Sequence, residues 1–203
     1  MENEQGQNTN RYRSELLRKA LHFLIALVPV LAGINRIFTL ILLAAGTLAY
    51  TVMESIRRRG KTIPLISRLT VAASRKRDMG RFVLGPVTLG LGAFLPLLFF
   101  PLPIASIAIY ALAFGDGTAS LAGKFFGRLH FPFLPDKSLE GSAACFLGVL
   151  LSTYLYTVSE GTGNIYLSLT AATTAVLAEL IPLKDWDNIL IPMVVGLVIK
   201  TLI

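Results

Sequence analysis

The chain has 203 residues, of which 54% are hydrophobic and 15% are charged, and its mean hydropathy is +0.65. An average soluble domain is about 45–50% apolar, so this composition excludes an ordinary soluble protein and predicts a chain that lies in a bilayer. The formal net charge of +7 favours contact with anionic membrane lipids.

Apolar segments recur along the whole chain. Seven runs approach the length of roughly 17–25 residues that a helix needs to cross a bilayer. Prolines inside such runs predict kinks rather than loops, because neighbouring helices can satisfy the carbonyl groups left unpaired. The predicted spans are 16–34, 38–56, 82–100, 103–123, 139–158, 165–181 and 189–203. The predicted fold class is therefore all-α, a polytopic integral membrane protein of about seven transmembrane helices.

Basic residues between the spans predict the orientation. Short loops rich in Lys and Arg stay in the cytoplasm. The predicted spans place 17 of the 19 basic residues on one side and leave only Arg36 and Lys200 on the other. The amino terminus is therefore predicted to be cytoplasmic, within a polar segment at 1–15. A single transmembrane catalytic domain is predicted at 16–203.

The most basic segment is a predicted cytoplasmic loop at 57–81. It has nine positive charges and no aromatic residue that could stack on a base, so it indicates anionic membrane lipids as partners rather than nucleic acid. Within it, residues 63–73 are predicted to lie as an amphipathic helix in the membrane interface. No protein partner is predicted.

Acidic residues inside the spans indicate where the chemistry lies. A carboxylate in hydrocarbon costs several kcal/mol and is usually functional. Glu54, Asp116 and Glu179 lie near the ends of spans that all run toward the cytoplasm in the predicted orientation. Asp187 and Asn188 follow in the adjacent loop. The sequence therefore predicts an active site at the cytoplasmic face.

The first span carries a further polar group in the sequence ELLRKALH. Glu15, Arg18, Lys19 and His22 follow i, i+3, i+4, i+7 spacing and so share one helix face. One interpretation is a set of interfacial charges that pair with one another. The other is a contribution to the site, in which His22 is the most informative member because it lies one turn deeper.

The stretch GDGTASLAGKFFGR combines small residues with charges. Small residues recur every three or four positions at Gly115, Ala119, Ala122 or Gly123, and Gly127, which predicts close approach of another helix. Packing does not explain Asp116 and Lys124. Carboxylates that hold a divalent cation, together with lysines that neutralise phosphate, are what a nucleotide site needs.

The familiar nucleotide-binding motifs are incomplete in this stretch. The Walker pattern fails because Thr118 replaces its first glycine and Phe125 follows Lys124. The Rossmann pattern fails because Ser120 replaces its third glycine. Any nucleotide site is therefore predicted to lie outside the soluble nucleotide-binding folds.

Three elements together carry a resemblance: GDGTASLAGKFFGR, then KSLEG, then ELIPLKDWDN. Their order and spacing, with the ELLRKALH segment before them, resemble the integral-membrane lipid kinases that include dolichol kinase, phytol kinase and CTP-dependent diacylglycerol kinase. The resemblance implies transfer of the γ-phosphate of CTP to the hydroxyl of a membrane lipid alcohol, with Mg²⁺ or another divalent cation. It covers nearly the whole chain.

The resemblance and the residue chemistry together give each candidate a role. Asp116 and Glu140 are predicted to hold the metal, and Lys124 and Lys137 to contact the nucleotide phosphates. Asp187 or Glu179 is predicted to orient or deprotonate the lipid hydroxyl, with His22 as the alternative base. The remaining candidates are Gly117, Gly127 and Gly141 at the nucleotide, and Asn188, Arg18 and Lys19, with Glu179, at the lipid.

Two other functions are compatible with the sequence. The phosphatidate cytidylyltransferases have similar D-x-x-A and K-x-x-E-G segments, but their longer carboxyl-terminal signature is not found here. A transporter or scaffold would not need the three polar elements, and a transporter favours charges near the midplane together with an inverted repeat. The lipid-alcohol kinase is therefore the first hypothesis.

Overall fold

The computed structural model describes residues 18–59 and 82–203. The predicted polar segment at 1–15, Glu15, the interfacial helix at 63–73 and all but the first three residues of the basic loop at 57–81 lie outside the described residues. The helices are α1 (18–25), α2 (Val28–Ile34), α3 (Arg36–Arg58), α4 (Gly85–Phe99), α5 (Leu102–Tyr110), α6 (Gly117–Phe126), α7 (Leu139–Ser159), α8 (Ile165–Glu179) and α9 (Asp187–Lys200).

Three shorter elements connect these helices. A π-helical segment, Ala111–Asp116, joins α5 to α6, and a 3₁₀ turn, Lys184–Trp186, precedes α9. Between α6 and α7 the chain forms an antiparallel hairpin of β1 (His130–Phe131) and β2 (Leu134–Ser138), in which His130 lies opposite Ser138. The all-α prediction is confirmed, with this small hairpin in place of a predicted loop.

The length and hydropathy of several helices are those of a membrane protein. Three helical stretches in the described residues are long and apolar enough to cross a bilayer: Arg36–Arg58, Leu102–Phe126 and Leu139–Ser159. Gly85–Phe99 and Ile165–Glu179 are apolar but shorter. Each of the seven predicted spans contains a helix, but seven crossings and a cytoplasmic amino terminus stay predictions.

Prolines change two of the predicted spans. The first span is broken rather than kinked: α1 ends in a turn at Ala26 and Leu27, and α2 begins with Pro29 in its first turn. Proline has no N–H to continue the preceding helix, but it fits the first turn of a new one. The third span starts at Gly85 rather than at residue 82, and Pro86 occupies its first turn for the same reason.

The centre of the fold is the α5 helix with its π-helical continuation. Ala105, Ala108, Ala111 and Leu112 are all 0% exposed. Small residues let neighbouring helices approach this bundle closely. A Cβ added to Gly92 of α4 would lie 2.0 Å from the carbonyl oxygen of Asn188 at the start of α9. Gly92 of α4 therefore serves helix packing.

Glu54 connects the residues before the segment at 60–81 with the residues after it. It is 0% exposed and accepts hydrogen bonds from Arg57 Nη2 at 2.6 Å, Arg57 Nε at 2.7 Å and the backbone N–H of Val83 at 3.0 Å. Tyr50 adds a hydrogen bond from its hydroxyl to the carbonyl oxygen of Val83. The carboxylate thus fastens the end of α3 to the residues before α4.

We expect Glu54→Gln to destabilise the fold. The substitution keeps the side-chain size but removes the charge that Arg57 binds, and hydrogen bonds to charged groups contribute about 1.5–3 kcal/mol. Thermal unfolding of the detergent-solubilised protein measures the loss. Asp136→Asn, which changes an exposed carboxylate in β2, is the control, and equal melting temperatures for the two variants would contradict this role of Glu54.

Candidate active site

Asp116 ends the π-helical segment and immediately precedes α6. π-Helical turns are rare and often occur at functional sites. The preceding residues Ala111, Leu112 and Ala113 are completely buried, whereas the Asp116 side chain keeps 15% of its surface exposed. The irregular turn thus presents one carboxylate at the edge of the packed core.

Lys19 of α1 is the main partner of Asp116. Its Nζ donates to Asp116 Oδ2 at 2.7 Å and to the Asp116 main-chain oxygen at 3.0 Å. Lys19 is only 1% exposed, and a buried ammonium is tolerated only when it is paired and hydrogen-bonded. The pair therefore fixes α1 against the start of α6 across 97 positions of sequence.

His22 reaches the same carboxylate from the next turn of α1. Its Nδ1 lies 3.3 Å from Asp116 Oδ2, and the residue is 3% exposed. The predicted common face of α1 is thus confirmed for Lys19 and His22, and both side chains point to Asp116 rather than only to charges on their own helix. Lys19 was a candidate for the lipid, and its pairing with Asp116 was not predicted.

Asp116 and His22 line a small pocket. Its cavity volume is about 40 Å³, and a single water needs about 10–15 Å³ of such space. The cavity itself therefore holds a few water-sized groups and not a whole nucleotide. The lining residues are Arg18, Leu21, His22, Val83, Gly85, Pro86, Leu89, Asp116, Lys184, Asp185, Asp187 and Asn188.

Asp187 brings a second carboxylate to this pocket. It precedes the predicted span at 189–203, at the first position of α9. Burial raises the pKa of Asp187 to about 7, and the negative charge of Asp116 adds to the rise, while Lys137 and Lys19 oppose it. Near neutral pH this carboxyl group therefore binds a proton far more readily than an exposed aspartate does.

A divalent cation fits the pocket by its donor chemistry. Mg²⁺ is commonly held by one or two carboxylates together with substrate phosphates and waters, and Asp116 presents a carboxylate to the cavity. Within residues 18–59 and 82–203, no three His, Cys, Asp or Glu side chains are arranged to share one ion. A metal ion held by Asp116 therefore stays a prediction.

Lys137 and Glu179 form a second ion pair. Lys137 Nζ on β2 contacts Glu179 Oε1 at the end of α8, and their side chains are 19% and 7% exposed. The sequence analysis assigned Lys137 to the nucleotide and Glu179 to the lipid. The structure joins the two, and neither side chain lines the pocket that holds Asp116 and Asp187. The charge of Lys137 partly offsets the rise in the pKa of Asp187.

Glu140 occupies the first turn of α7 and organises the preceding loop. Its Oε1 accepts hydrogen bonds from the backbone N–H groups of Arg128 at 3.0 Å and Leu129 at 3.2 Å. Asp116 and Glu140 therefore have different partners, and the structure provides no contact that brings their carboxylates together. Their shared metal role stays a prediction.

The candidate glycines lie where helices meet closely. A Cβ on Gly117 would lie 3.1 Å from the ring of Phe23, and one on Gly141 would lie 2.9 Å from the carbonyl oxygen of Ala119. A Cβ on Gly127 would lie 2.9 Å from Ser138 Oγ. The predicted helix approach is borne out by this packing, while contact of the three glycines with a nucleotide stays a prediction.

Ser138 is a residue that the sequence analysis missed. Its hydroxyl accepts a hydrogen bond from the Gly141 N–H at 3.1 Å and so caps α7. The signal was available, because a serine just before an apolar helical run is a typical N-cap. By capping α7, Ser138, which directly follows Lys137, also fixes where the helix begins within the KSLEG element.

The other candidates divide between the pocket and the surface. Arg18 and Asn188 line the pocket, and Asn188 also donates from Nδ2 to Thr88 Oγ1 at 3.0 Å. Lys124 lies in the last turn of α6 and is exposed, and it does not line the pocket. Lys184, which was not a candidate, lines the pocket in a left-handed backbone conformation with φ of 57°.

Two curated proteins are similar to this chain. The probable chloroplastic phytol kinase of Triticum aestivum is 36% identical over 107 residues, which cover 47% of this chain and 36% of that protein. The chloroplastic phytol kinase 1 of Arabidopsis thaliana is 29% identical over 202 residues, which cover 91% of this chain and 65% of that protein. Both relatives are phytol kinases.

These relatives confirm the resemblance to the membrane lipid kinases. The chain spans 36% and 65% of the length of the two phytol kinases that it matches. No family model and no solved structure matches the chain. The similarity to phytol kinases therefore rests on the sequence alone. The geometry of the pocket is a separate observation that does not depend on it.

Proposed function

We propose that this chain is a membrane lipid-alcohol kinase that transfers the γ-phosphate of CTP to the hydroxyl of a long-chain alcohol of the phytol or polyprenol type. The observation that carries the proposal is the pocket between α1 and α9, where Asp116, held by Lys19 and His22, shares a small cavity with Asp187. The similarity to phytol kinases supports the acceptor class.

Asp116 is the proposed metal ligand. A bound Mg²⁺ supplies neutralisation of the phosphate charge. Lys19 and His22 hold the Asp116 carboxylate in place, so little reorganisation is needed when an ion and a phosphate arrive. Glu140, which the resemblance implies as a second ligand, stays a candidate that requires release from the N–H groups of Arg128 and Leu129.

Asp187 is the proposed acceptor of the proton from the lipid hydroxyl. It lines the cavity, whose size suits a hydroxyl group, and its burial raises the pKa of its carboxyl group, which makes it a stronger proton acceptor than an exposed aspartate. His22, which lines the same cavity, is the alternative. Glu179 is a weaker candidate because it is paired with Lys137.

Lys137 is the proposed contact for the nucleotide phosphates. A phosphate that approached the pocket would compete with Glu179 for the ammonium group of Lys137. Lys124, Gly117, Gly127 and Gly141 remain further candidates for the nucleotide from the resemblance. Because the cavity is small, the base and ribose must lie outside it, toward the nearby loops.

The proposed membrane arrangement has seven spans, a cytoplasmic amino terminus and the pocket at the cytoplasmic face. Gly85, at the start of α4, lines the pocket, whereas Arg36 binds the carbonyl oxygens of Leu97 and Phe100 at the other end of that helix. A helix of 15 residues is about 22 Å long. The pocket thus lies toward one end of the bundle, where a lipid hydroxyl at the headgroup level and a soluble nucleotide can meet.

The proposal is tested with the purified protein, phytol and CTP labelled at either the γ- or the α-phosphate. Transfer of the γ-label to the lipid is the expected result. Transfer of the α-label would indicate a cytidylyltransferase, and ATP supporting transfer better than CTP would contradict the nucleotide assignment. No transfer to phytol, a C₂₀ polyprenol or diacylglycerol would contradict the enzyme proposal and favour a transporter or scaffold.

A further inference from the structure

We propose that the pocket seats the first carbons of the lipid alcohol against Leu21, Val83, Pro86 and Leu89, and that the lipid tail leaves between α1 and the start of α4. This inference rests on the proposed function and assigns the lipid-binding surface of the same site. Leu21 lies within the ELLRKALH element, but none of the four apolar residues was a candidate from the sequence.

The lining of the pocket consists of a polar set and an apolar set of residues. Asp116, Asp187 and His22 contribute polar groups, with further polar side chains from Arg18 and Asn188. The apolar lining comes from Leu21 on α1 and from Val83, Pro86 and Leu89, which lie before and within α4. A ligand that satisfies both sides has one polar end group attached to a hydrocarbon, which is the chemistry of a lipid alcohol.

Burial along the apolar side indicates a direction for the tail. Val83 and Leu89 are 5% and 7% exposed, whereas Leu21 is 39% exposed. Since the cavity has room only for a few water-sized groups, it can take the hydroxyl and the first carbons, and the rest of the hydrocarbon must leave. Leu21 is the apolar lining residue through which it reaches the outer surface.

Gly85 provides the space for this path. It lines the pocket at the start of α4, and a Cβ added there would meet no described atom within 4 Å. A larger side chain at this position therefore extends into open space without clashing with the described fold. Leu84 beside it is 39% exposed, so the opening is flanked by apolar surface on the side of α4 as well as at Leu21.

We expect Gly85→Leu to raise the KM for phytol about tenfold or more, in the range that apolar pocket contacts control, and to leave the KM for CTP unchanged. Gly46→Leu is the matched control. Gly46 lies within α3, does not line the pocket, and also has open space around an added Cβ. Unchanged KM values for phytol in Gly85→Leu, or an equal rise in both variants, would overturn the inference.

A second measurement does not depend on activity. A lipid alcohol with a photoreactive group a few carbons from its hydroxyl should label peptides containing Leu21 or the segment 82–89 in the wild-type protein. Excess phytol should compete with the labelling, and Leu21→Trp should reduce it more than Leu24→Trp, which changes a 58% exposed residue one turn further along α1. Labelling elsewhere would overturn the inference. Labelling at these peptides without phosphoryl transfer from any nucleotide would contradict the proposed function and support the lipid-binding surface.

Discussion

Asp116→Asn is expected to abolish phosphoryl transfer, with a fall in kcat of about 10³-fold or more. The amide cannot bind a hard cation as the carboxylate does, and the neutral side chain no longer holds Lys19 and His22 by charge. Initial rates with saturating phytol and CTP measure the effect.

The same substitution also affects stability, and the two effects must be separated. Asp116→Asn leaves the ammonium of Lys19, which is 1% exposed, without its carboxylate, and breaking a buried pair costs about 3–5 kcal/mol. The double variant Lys19→Met and Asp116→Asn removes both charges. We expect this variant to regain much of the lost melting temperature and to stay inactive.

Recovery of activity in the double variant would show that Asp116 serves only to pair Lys19. Lys19→Met alone completes the set, because it keeps the carboxylate while removing its main partner. We expect this single variant to keep measurable transfer with a weaker apparent affinity for the metal, since the Asp116 carboxylate remains but is less well positioned.

The second large effect concerns the pair of Lys137 and Glu179. Lys137→Ala removes the proposed phosphate contact and also leaves a carboxylate that is 7% exposed without its partner. We expect a loss of activity of about 10²-fold or more together with a lower melting temperature. Steady-state kinetics and thermal unfolding of the same preparation measure the two consequences.

Exchange of the two charges distinguishes catalysis from packing. The variant Lys137→Glu with Glu179→Lys keeps an ion pair between β2 and α8 but moves the ammonium group to the other element. We expect its melting temperature to recover at least in part relative to Lys137→Ala, while its activity stays low. Near wild-type activity after the exchange would assign Lys137 a structural role only.

The apolar segments could be predicted from the sequence, because helix length and hydropathy are local properties. Each of the seven predicted segments contains a helix, and Leu139–Ser159 begins and ends within one residue of its prediction. The break in the first span before Pro29 and the start of α4 at Gly85 rather than at residue 82 were not predicted. A proline can kink a helix or begin a new one, and only the packing of the neighbouring helices decides between these outcomes.

Several candidate residues line the pocket, but their contacts could not be predicted from the sequence. The sequence placed Lys19 and His22 on one helix face and identified Asp116 as an unusual carboxylate. It could not show that the two side chains of α1 contact Asp116. That contact depends on how α1 is rotated against α6 and on the π-helical turn that ends at Asp116. Neither property has a local sequence signal as strong as a helix cap or an apolar run.

Glu140 is another residue whose contacts could not be predicted from the sequence. Its position three residues after Lys137 made it a natural metal candidate, yet its carboxylate accepts hydrogen bonds from the backbone of Arg128 and Leu129. A carboxylate can satisfy a loop as well as a cation, and the sequence spacing does not distinguish the two. Asp187, predicted at the lipid hydroxyl, shares the pocket with Asp116, as does Asp185.

The central claim is that the Asp116 pocket transfers the terminal phosphate of CTP to a lipid alcohol. The most direct test compares the wild-type protein with the Lys19→Met and Asp116→Asn double variant, using phytol, Mg²⁺ and CTP labelled at the γ- or α-phosphate. We predict γ-label and no α-label in the lipid product of the wild-type protein, and no label with the folded double variant. Equal γ-transfer by the two proteins, or α-label in the lipid, would contradict this account.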